Sequence, residues 1–266
     1  MAIVRPRRWG YVVRTLAAGG TRIQLCGRLL AELDGVRVDA ALPGRQGRLV
    51  FAYLAAHRHR AVTRSELWDV LWPDGAPASP DATLRPLLSK LRQVVGEDRL
   101  RGRSELQLVL GSDARVDVET ARDAVHDAES AIARQGWHEA WLPAQIAWSV
   151  TNREFLPGHE GPWIDERRRE LEELRLRVLE CIAQVGVRLG GAELPAAERA
   201  ARALVRAAPY RESGYRHLME ALEAGANVAE ALRVYERLRR LLRDELGVAP
   251  GRELAAVHQR LLQRAP

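Results

Sequence analysis

From Ile23 to Val38, apolar and polar residues alternate in short pieces around Asp34-Gly35. A dipeptide of this kind between alternating segments predicts a hairpin, here within a small antiparallel sheet. From Arg45 the period lengthens. Leu49, Val50, Tyr53 and Leu54 recur at helical spacing, and His57-Arg58-His59-Arg60 places cations at the expected helix end, where the macrodipole is negative. Thr63-Arg64-Ser65-Glu66 is a capping-box sequence that starts a second helix with Leu67, Val70 and Leu71 on one face. Trp72-Pro73-Asp74-Gly75 stops it, since proline disfavours helix in the residue before it. Ser79 as N-cap, Pro80 in the first helical position and Asp81 in the first turn open a third helix, which runs to Val95 and ends at Gly96. Leu84, Leu88, Leu91 and Val95 form its apolar stripe, leaving Arg85, Pro86, Ser89, Lys90, Arg92 and Gln93 toward solvent or a ligand.

Beyond Gly96, the basic piece Arg99-Leu100-Arg101-Gly102-Arg103, then Ser104-Glu105 and Leu106 to Leu110, predict a second hairpin. The remainder is helical in pattern. A boundary is expected between 112 and 115, followed by a helix over 117–134 and a tryptophan-bearing helix over 137–150, whose Trp137, Trp141 and Trp148 suit core packing. Prolines and glycines between Phe155 and Trp163 break the pattern before a long helix over 164–189. The mixed run Asp165-Glu166-Arg167-Arg168-Arg169-Glu170 reads as a solvated, ion-paired face rather than a catalytic cluster. Alanine-rich helices follow in pairs. Ala197-Glu198-Arg199-Ala200-Ala201 is echoed by Ala229-Glu230-Ala231-Leu232, a period of about 32 residues, close to the tetratricopeptide unit.

Composition changes this picture in one respect. The 266 residues, 47% of them hydrophobic, can bury two cores, and the net charge is +6. Residues 1–113 carry 18 basic and 11 acidic side chains and the rest carry 23 and 24, so the positive excess lies in the front. That distribution suits polyanion binding by one domain. Lys90 is the one lysine of the chain, which fits the codon bias of a GC-rich genome better than selection for arginine chemistry. Cys26 and Cys181 have neither a disulfide framework nor metal-ligand company, and His57 and His59 have no third ligand nearby, so no metal or cofactor is expected. The first twenty residues have no signal-peptide pattern, and no apolar run approaches bilayer length. A cytoplasmic protein without membrane contact is the expectation.

A basic helix packed on two others suits the major groove of double-stranded DNA. Alone, its polar face would be the ordinary solvated side of an amphipathic helix; the basic hairpin beside it favours a DNA site. Arg85, Ser89, Lys90 and Arg92 are the candidate contacts on the helix, with Arg101 and Arg103 on the strand that would lie against the phosphate backbone. The order strand, three helices, hairpin resembles the OmpR-type winged helix. More narrowly, GRQGRLVFAYLAAHRHRAVTRSELWDVLWPDGAPASPDATLRPLLSKLRQVVG is similar to the N-terminal domain of the Streptomyces antibiotic regulatory protein family, the AfsR/DnrI/RedD group. This resemblance implies a recognition helix over 79–95, a wing over 99–110 and backbone contacts around Arg45, Arg48 and Arg64. The sequence departs from the family at Ala82, Pro86 and Leu87, where polar residues are usual. Proline inside a helix removes a hydrogen bond and costs about 3 kcal/mol or more. Either the helix begins near Ser79 and kinks at Pro86, the preferred reading, or Thr83 is the N-cap and Pro86 falls in the first turn.

The second half carries a sharper resemblance. Phe155 to Trp163 followed by IDERRREL, then PYRESGYRHLMEAL and NVAEALRVYERLRRLLRDELGVAPGRELAAVHQRLL, resembles the bacterial transcriptional activation domain that follows the winged helix in the same family. The expected fold is mostly α: an N-terminal extension over 1–20, an α+β winged helix-turn-helix domain over 21–113, and an all-α tetratricopeptide-like domain over 114–266. The implied function is a sequence-specific transcriptional activator that binds direct repeats, self-associates along DNA and contacts RNA polymerase. The competing reading is a protein-interaction scaffold with a vestigial or non-specific DNA-binding domain, and a third is the regulatory head of a larger ATPase. The chain carries no phosphate-loop motif and no nucleophile elbow, so no enzyme activity is expected.

Overall fold

The computed structural model describes residues 20–264, so the N-terminal extension lies, apart from Gly20, outside the described residues. The chain divides into two units between Val116 and Asp117.

In the first unit, strands β1 (Arg22–Gln24), β2 (Leu30–Leu33) and β3 (Val36–Arg37) pair antiparallel in sequence order. Asp34 and Gly35 take positive φ angles of 49° and 82°, as a type I′ hairpin turn requires. The sheet is not wholly antiparallel, because β7 (Arg115–Val116) adds to the far edge of β1 in parallel. The division between units therefore falls three residues beyond the 113/114 boundary read from the sequence.

Three helices follow the first hairpin: α1 (Gly44–Ala56), α2 (Arg64–Leu71) and α3 (Pro80–Val95). A second sheet of β4 (Val62–Thr63), β6 (Glu105–Leu108) and β5 (Leu100–Arg101) closes the unit in the spatial order given. Val50, Phe51 and Leu54 from α1, Leu67 from α2, Leu84, Leu88, Leu91 and Val95 from α3, and Leu100, Leu106 and Leu108 from the second sheet are all buried. This apolar set holds α3 by one side only.

α1 ends at Ala56, so the run from His57 to Arg60 lies beyond the helix rather than in its last turn. Its members are used locally: His57 Nδ1 lies 2.8 Å from the Tyr53 carbonyl, and Arg60 donates to Glu66 at 2.5 Å. The capping box forms as the sequence predicts. Thr63 Oγ1 accepts from the Glu66 N–H at 3.3 Å and Glu66 Oε1 accepts from the Thr63 N–H at 2.9 Å. Arg60, the Thr63 N–H and the Thr63 hydroxyl all donate to the Glu66 carboxyl and hold it down at about 2, the hydrogen bond from Arg60 contributing most.

The second unit is all helical: α4 (Asp117–Ala133), α5 (Trp137–Thr151), α6 (Pro162–Leu189), a 3₁₀ turn at Gly191–Glu193, α7 (Leu194–Ala207), α8 (Glu212–Ala224), α9 (Val228–Leu246) and α10 (Arg252–Arg264). Each helix packs on the next, and α4, α6, α8 and α10 also pack on one another in turn. The two alanine-rich segments of the repeat open α7 and α9, the first helices of two successive pairs. Small residues let helices approach closely: a Cβ built on Gly186 of α6 would lie 2.8 Å from Ala197 Cβ of α7. Trp137 and Trp141 pack against Ala131, Ala140 and Val185, in line with the core role read from the sequence. Cys26 and Cys181 form no disulfide and both are buried, and burial pushes the Cys181 thiol up to about 12. No described helix is long and apolar enough to cross a membrane.

Candidate nucleic-acid interface

α3 begins at Pro80, so Pro86 stands inside it and the earlier of the two possible starts holds. Ser79 is the N-cap by position, but its side chain makes no cap bond. Its carbonyl instead accepts from the Ala82 and Thr83 N–H groups at 3.1 and 3.3 Å. With the leucine stripe buried, the roughly 100° advance per residue turns Ala82, Pro86, Ser89 and Gln93 outward, with Arg85 and Arg92 on one flank and Thr83 and Lys90 on the other. Pro86 therefore costs the helix a bond at an exposed site, where water can satisfy the Ala82 carbonyl.

The β5–β6 hairpin stands beside this face. Gly102, at φ 88°, makes its turn, and a Cβ there would sit 1.8 Å from the Glu105 carbonyl oxygen, so only glycine fits. Ser89, Arg92 and Gln93 of α3, with Glu97, Leu100, Arg101, Gly102 and Arg103, line an open groove of about 670 Å³. Arg85, Ser89 and Lys90 are exposed on the helix, Arg101 and Arg103 are exposed on the hairpin, and Arg45 and Arg48 are exposed in the first turns of α1. Arg101 also donates through Nε to the Asp98 carbonyl at 2.9 Å, which holds its stem against the hairpin base.

Two candidates stand apart from these. Arg64 donates to the Arg103 carbonyl at 2.6 Å and pairs with Asp81 at 2.7 Å, so it links the start of α2 to the start of α3 and to the hairpin turn. Arg92 is half-buried and donates to the Leu100 and Gly102 carbonyls at 3.3 and 2.6 Å. Both guanidiniums thus hold the hairpin in place against α3 instead of pointing outward. The partners lie 39 and 8–10 positions away, and no local pattern in the sequence signals them. Arg99, which the sequence places merely in a basic run, reaches Asp34 in the first hairpin and the Val95 carbonyl, fixing the loop after α3.

A strand-bounded set of three helices with a glycine-turned basic hairpin, followed by a helical stack, defines a class of two-part regulators, and comparison with known proteins agrees. Residues 116–262 match the family described as Bacterial transcriptional activator domain. Regulatory protein AfsR of Streptomyces coelicolor is 33% identical over 98% of this chain and 26% of its own length, so the chain spans about a quarter of that relative. Regulatory protein DnrI of Streptomyces peucetius is 27% identical over 92% of this chain and 93% of its own. Among solved structures, Mycobacterium tuberculosis EmbR in complex with a low affinity phosphopeptide matches with a TM-score of 0.76 over 92% of this chain and 66% of that one, at 22% identity, which shows a shared fold. The chain belongs to the Streptomyces antibiotic regulatory protein family, whose relatives are named as transcriptional regulators.

Proposed function

We propose that the protein is a sequence-specific DNA-binding transcriptional activator whose first unit is a winged helix-turn-helix. In this reading α3 enters the major groove and the β5–β6 hairpin is the wing, lying along the phosphate backbone. The observation that carries the reading is the exposure of Arg101 and Arg103 on the groove between α3 and the hairpin together with that of Arg85 and Lys90 on α3 itself, none of the four with a carboxylate partner among the described residues. Arg85, on the flank nearer the wing, reads a base edge; Lys90 contacts phosphate; Ser89 and Gln93 supply short polar reach; Arg101 and Arg103 follow the backbone. Arg45 and Arg48, in the first turns of α1, add phosphate contacts, while Arg64 and Arg92 act by positioning the wing. Ala82 and Pro86 offer apolar surface, which suits contact with thymine methyl groups. Two or more copies bind direct repeats, and the helical unit contacts RNA polymerase.

A second reading, a protein-interaction scaffold whose DNA domain binds without specificity, draws on the same Ala82 and Pro86, which remove polar readers from the centre of the outward face. Selection of genomic fragments by the purified chain separates the two. Enrichment of spaced repeats supports the activator; binding that follows charge alone, with no shared motif, supports the scaffold.

A further inference from the structure

The outward side of α3 changes character along its length. Ala82 and Pro86 lie one turn apart in its first half, both exposed and both opposite the buried Leu84, Leu88 and Leu91. Ser89 and Gln93 continue the same side toward the C-terminus. Thr83, on the flank of the apolar pair, turns its hydroxyl back onto its own helix and donates to the Ser79 carbonyl at 3.4 Å. Asp81, the one acidic residue of the helix, is paired with Arg64 at 2.7 Å. The first half of the outward side therefore carries a methyl group and a pyrrolidine ring, without a carboxylate beside them.

Pro86 is the informative member of the pair. Proline forfeits a backbone hydrogen bond inside a helix, so helix stability argues against it at this position. What its side chain offers a ligand is apolar contact alone. When a recognition helix lies in the major groove, its N-terminal residues are the ones that meet base edges. Among the groups that unmodified bases present there, one is apolar, the C5-methyl of thymine. Cytosine has hydrogen at that carbon, and 5-methylcytosine has the same methyl as thymine. The two methylated bases differ at C4, where thymine has a carbonyl and 5-methylcytosine an amine. Ala82 and Pro86 have no donor or acceptor in their side chains with which to tell these apart. Arg85, one residue before Pro86 on the flank nearer the wing, is exposed and supplies donors that match O6 and N7 of an adjoining guanine.

We infer that Ala82 and Pro86 read the C5-methyl of a pyrimidine as such, on thymine or on 5-methylcytosine, beside a guanine read by Arg85, so that cytosine methylation of the DNA raises the affinity of this chain. The inference rests on the reading of α3 as the recognition helix. An unmodified cytosine–guanine step gives the apolar pair nothing to contact. Methylation of that cytosine makes the step equivalent, for these two residues, to thymine–guanine.

The test uses the full chain and a synthetic duplex carrying the repeat that the chain selects from genomic fragments, with affinity read by fluorescence anisotropy at one salt concentration. Each thymine of the repeat is replaced in turn by uracil, which removes the methyl and keeps the base pair, and then, opposite guanine, by cytosine and by 5-methylcytosine. At the position that α3 reads, uracil weakens binding about fourfold, the loss expected for one buried methyl group. Cytosine weakens it at least as much, and 5-methylcytosine binds about threefold or more tighter than cytosine. Pro86→Ser, which restores a better helix former, brings thymine and uracil to within about twofold of one another. Equal affinity for thymine and uracil throughout the repeat overturns the inference and leaves the DNA reading intact, as does 5-methylcytosine that binds no better than cytosine. A uracil penalty unchanged in the serine variant places the methyl against another residue and also overturns it. A chain that selects no repeat overturns the DNA reading itself, and the inference with it.

Discussion

Replacing Arg92 by alanine removes two donors from the β5–β6 hairpin, those to the Leu100 and Gly102 carbonyls. Hydrogen bonds from a charged group contribute about 1.5–3 kcal/mol each when well formed. The 3.3 Å bond to Leu100 is long and the 2.6 Å bond to Gly102 is exposed, so the pair together holds the hairpin by about 2 kcal/mol. β5 pairs with β6 at Leu100 and Arg101, and one further bond, from the Val109 N–H to the Arg99 carbonyl at 2.7 Å, extends this short ladder. The variant must reorder its wing on binding, so DNA affinity falls by about 1–2 kcal/mol, or about 5- to 30-fold. The bound state still makes the same phosphate contacts, because Arg101 and Arg103 remain. The slope of log affinity against log salt is therefore unchanged, in contrast to the decrease of about 1 that loss of a direct phosphate contact produces. Fluorescence anisotropy with a selected fragment across a salt series measures both quantities. A fall of about 1 in the slope, with equal loss on specific and random DNA, would show that Arg92 touches phosphate and refute the positioning role.

Arg85→Ala relaxes sequence preference and Lys90→Ala weakens binding evenly while lowering the salt slope by about 1; if neither changes a competition titration, α3 is not the recognition helix. Thr63→Ala costs the first unit about 1 kcal/mol through loss of its cap, read in urea unfolding. The Glu66 carboxyl, held at about 2 in the fold against an ordinary 4.5, contributes stability that is complete above 4.5 and lost as pH falls through about 2; Glu66→Gln flattens that part of the unfolding-versus-pH curve. Cys181, pushed up to about 12, and the buried Cys26 stay unreactive toward a disulfide reagent at pH 8 until the protein unfolds, and rapid labelling of the native chain would contradict their burial.

What was legible in the sequence was what depends on near neighbours. The Thr63–Glu66 box, the proline start of α3, its leucine stripe and the Asp34-Gly35 turn all rest on residues a few positions apart, and each forms as the local pattern predicts. What depends on packing was not legible. The parallel pairing of β7 with β1 joins Arg22 to Arg115, and no periodicity announces such a partner. The end of α1 is set where Glu66 draws Arg60 and His57 turns back to Tyr53, so a basic run that suits a helix terminus lies outside the helix. At the candidate interface, residue type identified the basic positions, but only the tertiary structure distinguishes Arg85 and Lys90, which point outward, from Arg64 and Arg92, which hold the hairpin.

The most direct test of the central claim is the ratio of affinities of the full chain for a selected genomic fragment and for the same fragment with its repeats scrambled, measured at physiological salt. The account predicts a ratio on the order of 10³ or more, as sequence-specific regulators show. Equal affinity for the two fragments would contradict it.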